Sequence, residues 1–186
     1  MREAAIGKRS SFERVKNDAY NSPPRVVWPL IAHLTPGTTF AEPCAGRGDL
    51  IRHLAEDGFE CRYASDIAPI NRGSPMPIIK RPFHKVTAHM LRDCDLVVTN
   101  PPWGRDILHP LIEHFIQLKP TWLLFDADWI HTTQAVPYLK WCHKIVSIGR
   151  VKWIPGSKHT GKDNCAFFLF KDTPNNGGPT FYGRTG

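Results

Sequence analysis

The sequence lacks any long hydrophobic run, and this absence argues against a membrane-spanning protein. No apolar stretch in its 186 residues approaches the roughly 20 residues that a membrane-spanning helix needs. The amino-terminal residues also lack the apolar segment of a secretory signal. We therefore expect a cytoplasmic protein with no membrane partner.

Paired cysteines and metal-ligand spacings are missing as well. The chain has five cysteines, an odd number, and none of them lies in a Cys-x-x-Cys pair. This pattern is typical of reduced, buried thiols rather than of a disulfide framework. The nine histidines are scattered, and no second ligand pair stands at zinc spacing from Cys142-His143 or His159. We predict no metal site.

What is present is the composition of one basic, globular domain. Hydrophobic residues make up 41% of the chain and charged residues 22%, as in ordinary soluble domains. Lys and Arg number 24 against 17 acids, and this net charge of +7 favours a polyanionic partner such as nucleic acid. We assign the domain to residues 18–172, between a basic arm at 1–17 and a Gly-, Pro- and Asn-rich tail at 173–186 that we expect to be flexible.

The most informative stretch is DLVVTNPPW, residues 95–103. Its apolar, β-branched first half predicts a buried strand, and the two prolines must end that strand because each fixes φ and removes an N–H donor. Open α/β sheets place their ligands just beyond such strand ends. Asn100 and the Pro101 carbonyl offer acceptors and Trp103 an aromatic plane, which together suit a flat base with an exocyclic amine.

A strand, a glycine turn and a helix are predicted nearer the amino terminus. Residues 38–41 predict the strand, and EPCAGRGDL at 42–50 supplies the turn and the start of the helix. Glycines let backbone approach a ligand closely, and a helix amino terminus favours a carboxylate. Glu42 at the strand end can meet an ammonium group. The third glycine of Gly-x-Gly-x-x-Gly is missing, so the segment is no dinucleotide fingerprint.

Three motifs of this chain resemble those of the amino-methyltransferases, which methylate exocyclic or amide nitrogens with S-adenosylmethionine (SAM). Asn-Pro-Pro-Trp after an apolar strand resembles motif IV, and the glycine turn resembles motif I, commonly Asp-Pro-x-x-Gly-x-Gly, with Glu42 in place of Asp. Tyr20-x-Ser22-Pro23 is similar to motif X, usually Tyr-x-Thr-Pro. With its Asn-Pro-Pro-Trp motif the chain resembles in particular the DNA adenine (N6) methyltransferases of phage and bacterial type, although the order of the motifs suits several groups.

The resemblance implies a fold and a set of site residues. The fold is α/β, a Rossmann-like class I methyltransferase with a seven-stranded, mostly parallel sheet, an antiparallel last strand and helices on both faces. The implied catalytic residues are Asn100, Pro101, Pro102 and Trp103. The implied cofactor-binding residues are Tyr20, Ser22, Pro23, Glu42, Pro43, Cys44, Ala45, Gly46, Gly48, Asp49, Asp66, Ile67 and Asn100. The implied substrate-binding residues are Trp103, Trp153, Lys158 and Lys162.

Two further segments are predicted to bind the cofactor or to form a helix. Asp66 ends the predicted second strand and can accept bonds from ribose hydroxyls, and Ile67 beside it is implied to pack on the adenine of SAM. In the family that these motifs resemble, an acidic residue in the following segment often contacts the adenine amine of SAM (motif III), and this chain shows no clear match. A third strand is predicted near Ile78-Ile79. Ser22 is predicted to cap a helix through Leu34.

The last part of the predicted domain is a β-hairpin built from residues 144–148 and 165–170. Trp153 between them is the candidate to stack on a base, with core packing as the alternative. Lys158 and Lys162 are candidates for phosphate contacts, with a solvated hairpin tip as the alternative. Before the hairpin, Asp126-Ala127-Asp128 follows a strand, and these acids either cap the next helix or form a catalytic pair.

The function predicted from these residues is SAM-dependent methyl transfer to the exocyclic amino group of adenine in DNA. The stretch between Asp66 and Asn100 is too short for a separate target-recognition region, so the target sequence stays open. The alternatives are the same chemistry on RNA adenine or guanine, methylation of a protein glutamine amide, and a non-catalytic module that binds SAM or nucleic acid.

Overall fold

The protein is an α/β structure built on one mixed sheet of eight strands. A computed structural model describes residues 22–154 and 161–184. The strand order is β3-β2-β1-β4-β5-β7-β6-β8. The strands are β1 (Thr39–Glu42), β2 (Glu60–Asp66), β3 (Ile79–Lys80), β4 (Leu96–Thr99), β5 (Thr121–Asp126), β6 (Cys142–Arg150), β7 (Asn164–Phe170) and β8 (Thr180–Tyr182).

Strand direction follows the predicted pattern with one difference. Strands β3, β2, β1, β4 and β5 pair in parallel, and β7 is antiparallel to both β5 and β6. The seven-stranded prediction is wrong by one strand, because Thr180–Tyr182 pairs in parallel with β6. The flexible tail predicted for residues 173–186 therefore contains an ordered edge strand. The ring of His33 packs edge-on against Tyr182 at 4.3 Å and holds this strand at the free side of β6.

In the part of the chain that the structure describes, four α-helices flank the sheet: α1 (Trp28–Ile31), α2 (Asp49–Glu56), α3 (Arg105–Ile116) and α4 (Val136–Leu139). The helix predicted through Leu34 is shorter than expected. A 3-10 turn at Pro24–Val26 precedes α1, and Pro29 lies in the first turn of α1, where its missing N–H costs little. The predicted cap is also wrong, since Pro23 occupies the capping position of the 3-10 turn and Ser22 lies outside it.

Two apolar cores lie on opposite faces of the sheet, because successive strand residues point to opposite sides. Leu30 of α1 and Leu54 of α2 pack with Phe40 on one face. Leu111 and Phe115 of α3 pack on the other face, where Ala41 of the same strand points. Helices on both faces are thus confirmed.

The connection from β2 to β4 contains little regular secondary structure. It contains the two-residue strand β3 and a 3-10 turn at Phe83–Lys85, and the structure assigns no α-helix there. The short third strand agrees with the prediction near Ile78-Ile79. Within residues 22–154 and 161–184, no helix combines the length and the apolar character that crossing a membrane requires.

Candidate active site

Three strands end together at one edge of the sheet and carry the predicted site residues there. Glu42 ends β1, Asp66 ends β2 and Thr99 ends β4. β1 pairs with both β2 and β4, so these three ends are neighbours. The glycine turn, the loop after Asp66 and the segment from Asn100 all leave from this edge. The arrangement brings the predicted cofactor and catalytic segments together.

The glycine turn needs its two glycines for different reasons. Gly46 and Gly48 have φ values of 53° and 77°, a left-handed region that other residues rarely adopt. A Cβ on Gly46 would meet no atom within 4 Å, so the space beside it is open. A Cβ on Gly48 would lie 2.9 Å from both Pro75 Cδ and Ser74 Oγ. Gly48 therefore makes room for the chain's own loop, while Gly46 borders free space.

The loop over Gly48 was not expected from the sequence. It forms a groove of about 390 Å³ lined by Asn71, Ser74, Pro75, Met76 and Pro77. The Asn71 side chain holds the loop closed, since it accepts from Ile78 N–H at 2.7 Å and donates to the Ile78 carbonyl at 3.1 Å. The crowding of prolines was the one available indication that this segment packs as a rigid loop. None of the predicted cofactor residues lines the groove.

Glu42 is a buried carboxylate with an unfilled bonding position. Only 2% of the residue is exposed, and its Oε2 has no hydrogen-bond partner among the described residues. Burial raises its pKa well above the usual value, and the nearby carboxylates of Asp49 and Asp66 raise it further, while the Ile51 N–H at the start of α2 opposes the shift. A donor or cation brought to this point would gain more here than in water.

Asp66 first holds the glycine turn in place. Its Oδ2 accepts from Gly46 N–H at 2.9 Å and its Oδ1 from Ala68 N–H at 2.7 Å. Each carboxylate oxygen can accept a second bond, so the group can still receive hydroxyl donors. The adjacent Ile67 is 60% exposed and presents an apolar surface beside it.

Asn100 lies directly after β4 and is oriented from two sides. Its Nδ2 donates to Ser22 Oγ at 3.3 Å, and its Oδ1 accepts from Trp103 Nε1 at 3.3 Å. The Ser22 carbonyl is in turn 3.1 Å from His53 Nε2 on α2. Ser22, predicted as a helix cap, thus acts as a contact between the first segment and the Asn-Pro-Pro-Trp loop.

Trp103 and Trp153 meet at the same edge. Their ring centroids are 5.8 Å apart and their planes are inclined by 80°, an edge-to-face contact. Both side chains are half-buried. Gly161 N–H donates to the Val151 carbonyl at 2.8 Å and keeps the segment bearing Trp153 close to the hairpin. Trp153 packs against the core beside Trp103, as the packing alternative expects, and its stacking on a base stays a prediction.

The remaining predicted residues fall into three groups. Pro43 and Ala45 are buried within the glycine turn, and burial raises the pKa of the Cys44 thiol there. Lys162 is exposed beside the hairpin. Tyr20 and Lys158, together with the basic arm at 1–17, lie outside the described residues.

Asp126, the last residue of β5, caps the segment that follows it. The Asp126 carboxylate accepts from Asp128 N–H at 3.0 Å and begins the 3-10 turn at Ala127–His131. Burial raises the pKa of Asp126. The structure therefore shows capping by Asp126, and a catalytic role of Asp126 and Asp128 stays a prediction.

No motif III acid follows β3. Arg81, Pro82 and Phe83 come directly after it, and Arg81 N–H donates to the Asp66 carbonyl at 2.8 Å. Within the described ranges, no group of three or more His, Cys, Asp or Glu side chains gathers as a metal site.

The strand order and the site at the carboxyl ends of the parallel strands define the class I methyltransferase fold, and solved structures confirm it. A putative class I S-adenosylmethionine-dependent methyltransferase (lmo1582) from Listeria monocytogenes superposes with a TM-score of 0.62 at 9% identity, over 95% of this chain and 68% of that one. A putative RNA methyltransferase (PH1948) from Pyrococcus horikoshii gives 0.53 at 15% identity, over 83% and 86%.

A third solved structure carries a bound ligand. Magnesium protoporphyrin IX methyltransferase (ChlM) from Synechocystis PCC 6803, solved with SAM, gives a TM-score of 0.51 at 12% identity, over 78% of this chain and 76% of that one. The sequence matches no protein-family model and no curated protein. At these identities the likeness establishes the fold, and activity must be argued from the site.

Proposed function

We propose that this protein is a SAM-dependent methyltransferase that acts on the exocyclic amino group of adenine in DNA. The observation that carries the proposal is the placement of Asn100. Its carboxamide stands at the end of β4, fixed between Ser22 and Trp103, at the same edge as the open side of Gly46. An acceptor, an aromatic plane and a cofactor turn at one edge are the parts that amine methylation needs.

The residues of the glycine turn fit SAM on structural grounds. The unfilled, buried oxygen of Glu42 suits the ammonium of its methionine part, and the amino terminus of α2 suits its carboxylate. Asp66 would receive the ribose hydroxyls, and the exposed Ile67 would pack on the adenine. When bound, SAM supplies a methyl group on a sulfonium, the electrophile that a nitrogen nucleophile requires.

The protein's part in the reaction is to position the amine and to bind its protons. The nitrogen of an exocyclic amine is a weak nucleophile because its lone pair is delocalised into the ring. Asn100 Oδ1 has a second acceptor position beyond the bond from Trp103. Together with the Pro101 carbonyl it would hold the two amine protons and favour a tetrahedral nitrogen. Positioning of this kind supplies much of the rate, and the proton can leave after the transfer.

Nucleic acid is the substrate class that the charge and the tryptophans support. The chain carries a net charge of +7, and Trp103 meets Trp153 at the site. A base in a duplex must be flipped out to reach such a pocket, and aromatic side chains stabilise the extruded base by stacking. RNA is the second candidate. The connection between β2 and β4 holds no inserted domain that could recognise a duplex sequence.

The test measures methyl transfer from radiolabelled SAM to unmethylated DNA and RNA in parallel, with digestion of the products to nucleosides. We expect label in methyladenine from DNA. Asn100→Ala should lower the rate about 100- to 1,000-fold, the cost typical of losing one acceptor or donor at a reacting centre. Gln134→Ala, which removes an exposed carboxamide elsewhere, is the matched control and should leave the rate unchanged.

Three other outcomes are informative. Label found only in RNA would show that RNA, and not DNA, is the substrate of the same methyl transfer. Label in neither nucleic acid, with SAM binding intact by calorimetry, would refute the nucleic-acid substrate and favour a protein amide or a non-catalytic role. Equal rates for Asn100→Ala and the wild-type protein would remove Asn100 from the mechanism.

A further inference from the structure

Trp28 is the tryptophan whose exposure nothing in the proposed reaction explains. All six tryptophans lie in the described ranges. Trp28, in the first turn of α1, is 65% exposed, whereas the others are buried or half-buried. An exposed indole of this size is a surface for another aromatic or apolar group.

The surroundings of Trp28 are basic. Arg25 lies three residues earlier, on the same side of the segment, and its Nη2 donates to the Arg150 carbonyl at the end of β6 at 3.4 Å. Lys152 is exposed just beyond. Residues 22–38 and 142–154, the segments that carry these side chains, contain no Asp or Glu. The nearest acid in the following hairpin segment is Asp163.

This face is continuous with the candidate active site. Ser22, which contacts Asn100, begins the segment that carries Trp28. Pro23 is extended and Pro24–Val26 form a 3-10 turn, so the six steps from Ser22 to Trp28 span between about 9 Å, the helical advance, and about 21 Å, the fully extended limit. A stacked nucleic-acid strand advances about 3.4 Å per nucleotide. Trp28 is therefore within reach of the flanking nucleotides, from about the third to about the sixth from a base held at Asn100.

We propose that Trp28, Arg25, Arg150 and Lys152 form a binding surface for the unpaired strand that flanks the target base. Trp28 stacks on one flanking base, and the three cations contact the phosphates on either side. The proposal rests on the proposed nucleic-acid substrate and adds to it a preference for single-stranded flanks. A basic face and an exposed aromatic plane are the two components of sequence-tolerant single-strand binding.

The test compares the affinities of single-stranded oligonucleotides by fluorescence anisotropy, at one salt concentration and without SAM. One oligonucleotide carries the adenine with a single neighbour on each side, and another is extended on both sides. Trp28→Ala should weaken binding of the extended strand about 5- to 140-fold, the usual effect of losing one stacked base. Binding of the short strand, SAM affinity and the melting temperature should stay unchanged.

Phe181→Ala is the matched control. Phe181 is also 65% exposed. It lies on edge strand β8 next to Tyr182, whose ring contacts His33, so Phe181 points to the opposite face of the sheet. This variant should bind every oligonucleotide as the wild-type protein does. Arg25→Ala should reduce the slope of log affinity against log salt by about 0.7, the value for one phosphate contact to a single strand.

The outcomes separate this proposal from the proposed function. Equal binding of the extended strand by Trp28→Ala and the wild-type protein would overturn the stacking role, and so would an equal loss on a duplex of the same sequence. A lower melting temperature of Trp28→Ala would show that the protein itself covers Trp28, which also overturns it. If Trp28→Ala weakens binding of the extended strand but the wild-type protein transfers no methyl group, the binding surface is supported and the enzymatic proposal is refuted.

Discussion

The two halves of the sheet are built differently. The half that contains β1, β2 and β4 buries polar side-chain atoms that have no hydrogen-bond partner among the described residues, and Glu42 Oε2 and Ser65 Oγ are two of these atoms near its carboxyl edge. The half that contains β5 and β7 buries aromatic rings. Phe125 and Phe168 stack at 4.2 Å with their planes 14° apart, and Trp129 meets Phe125 edge-on at 5.2 Å.

The difference shows how this small domain divides stability from binding. Unpartnered buried polar groups lower the stability of the half that holds them, and such groups are concentrated where ligands bind. Stacked and edge-to-face aromatic rings add favourable contacts beyond their buried area. We therefore infer that the β5–β7 half supplies the stability that the β1–β4 edge lacks.

The largest expected effect is a loss of stability in the half of the sheet that contains β5 and β7. Phe168 is fully buried and touches Phe125, Phe170 and Trp129. Phe168→Ala should lower the free energy of unfolding by about 3–5 kcal/mol, because it removes the apolar contacts and leaves a cavity. Urea unfolding followed by circular dichroism measures this change. The exposed Phe181→Ala should differ from the wild-type protein by no more than about 0.5 kcal/mol. A similar loss in both variants would contradict the comparison.

The second prediction concerns the binding half and has two parts of opposite sign. Glu42→Gln should weaken SAM binding about 10- to 100-fold, since it removes a charged partner of the ammonium. The same change should raise stability at neutral pH, because a buried, unpartnered carboxylate is replaced by a neutral amide. Calorimetric titration with SAM and urea unfolding measure the two parts.

The pH dependence of Glu42 sharpens this prediction. Its pKa in the folded protein is raised above the unfolded value, so the folded state binds the proton more tightly. The stability that the protonated group contributes is complete below the unfolded pKa and is lost as the pH rises towards the folded pKa. The advantage of Glu42→Gln over the wild-type protein should therefore grow as the pH rises from about 4. A stability difference that does not change with pH would show that burial does not raise the pKa of Glu42.

A smaller effect on stability should distinguish the hydroxyl of Ser65, which has no hydrogen-bond partner among the described residues, from that of Ser74, which has one. Ser65 is fully buried, and its Oγ has no partner among the described residues. Ser65→Ala should raise the free energy of unfolding by about 1 kcal/mol. Ser74→Ala is the opposite control, because Ser74 Oγ donates to the Met76 carbonyl at 2.7 Å, and it should lower stability by about 1 kcal/mol. Changes of equal sign in the two variants would refute the distinction.

The smallest effect is a pH dependence in the aromatic half. His109 Nε2 accepts from Trp129 Nε1 at 3.0 Å. Burial, and then the charge of Arg105, lowers the pKa of His109. The neutral ring therefore contributes stability above about pH 6.5 that is lost as the pH falls towards the folded pKa. His109→Gln should reduce this acid loss by less than about 1 kcal/mol.

A second histidine makes the variant comparison necessary. Burial and Lys144 lower the pKa of His33 too, so it contributes in the same pH window with the same sign. Unfolding curves at pH values on both sides of this window, for the wild-type protein and His109→Gln, isolate the share of His109. Identical acid dependence in the two proteins would remove His109 from the explanation.

The site was predictable from the sequence to the extent that it is local. The run before Asn100 is apolar and ends in two prolines, so the position and the end of β4 follow from neighbouring residues alone. The same holds for β1 and the glycine turn, where Gly46 and Gly48 adopt positive φ. The fold class was implied by the resemblance of these motifs to those of the amino-methyltransferases, and parallel strands carry their loops to a common edge.

Contacts between distant segments escaped the prediction. Ser22 looked like a helix cap, but its hydroxyl accepts from Asn100, which lies far along the chain. Gly48 makes room for Pro75, which the local pattern did not indicate, and its contact with the cofactor stays a prediction. The residues around Ser22 and Gly48 do not indicate these partners. Hydrogen bonds and close contacts between remote segments depend on how the whole sheet brings the segments together.

The sequence by itself determined the parallel strands, their terminating loops and the types of side chain at the carboxyl edge, since hydrophobic period and the backbone limits of proline and glycine act within a few residues. Only the tertiary structure decided that Thr180–Tyr182 becomes an eighth strand, that Glu42 keeps an unfilled buried oxygen and that Trp28 stays exposed. These outcomes depend on which edges and surfaces remain free after packing, a property of the assembled molecule rather than of any one segment.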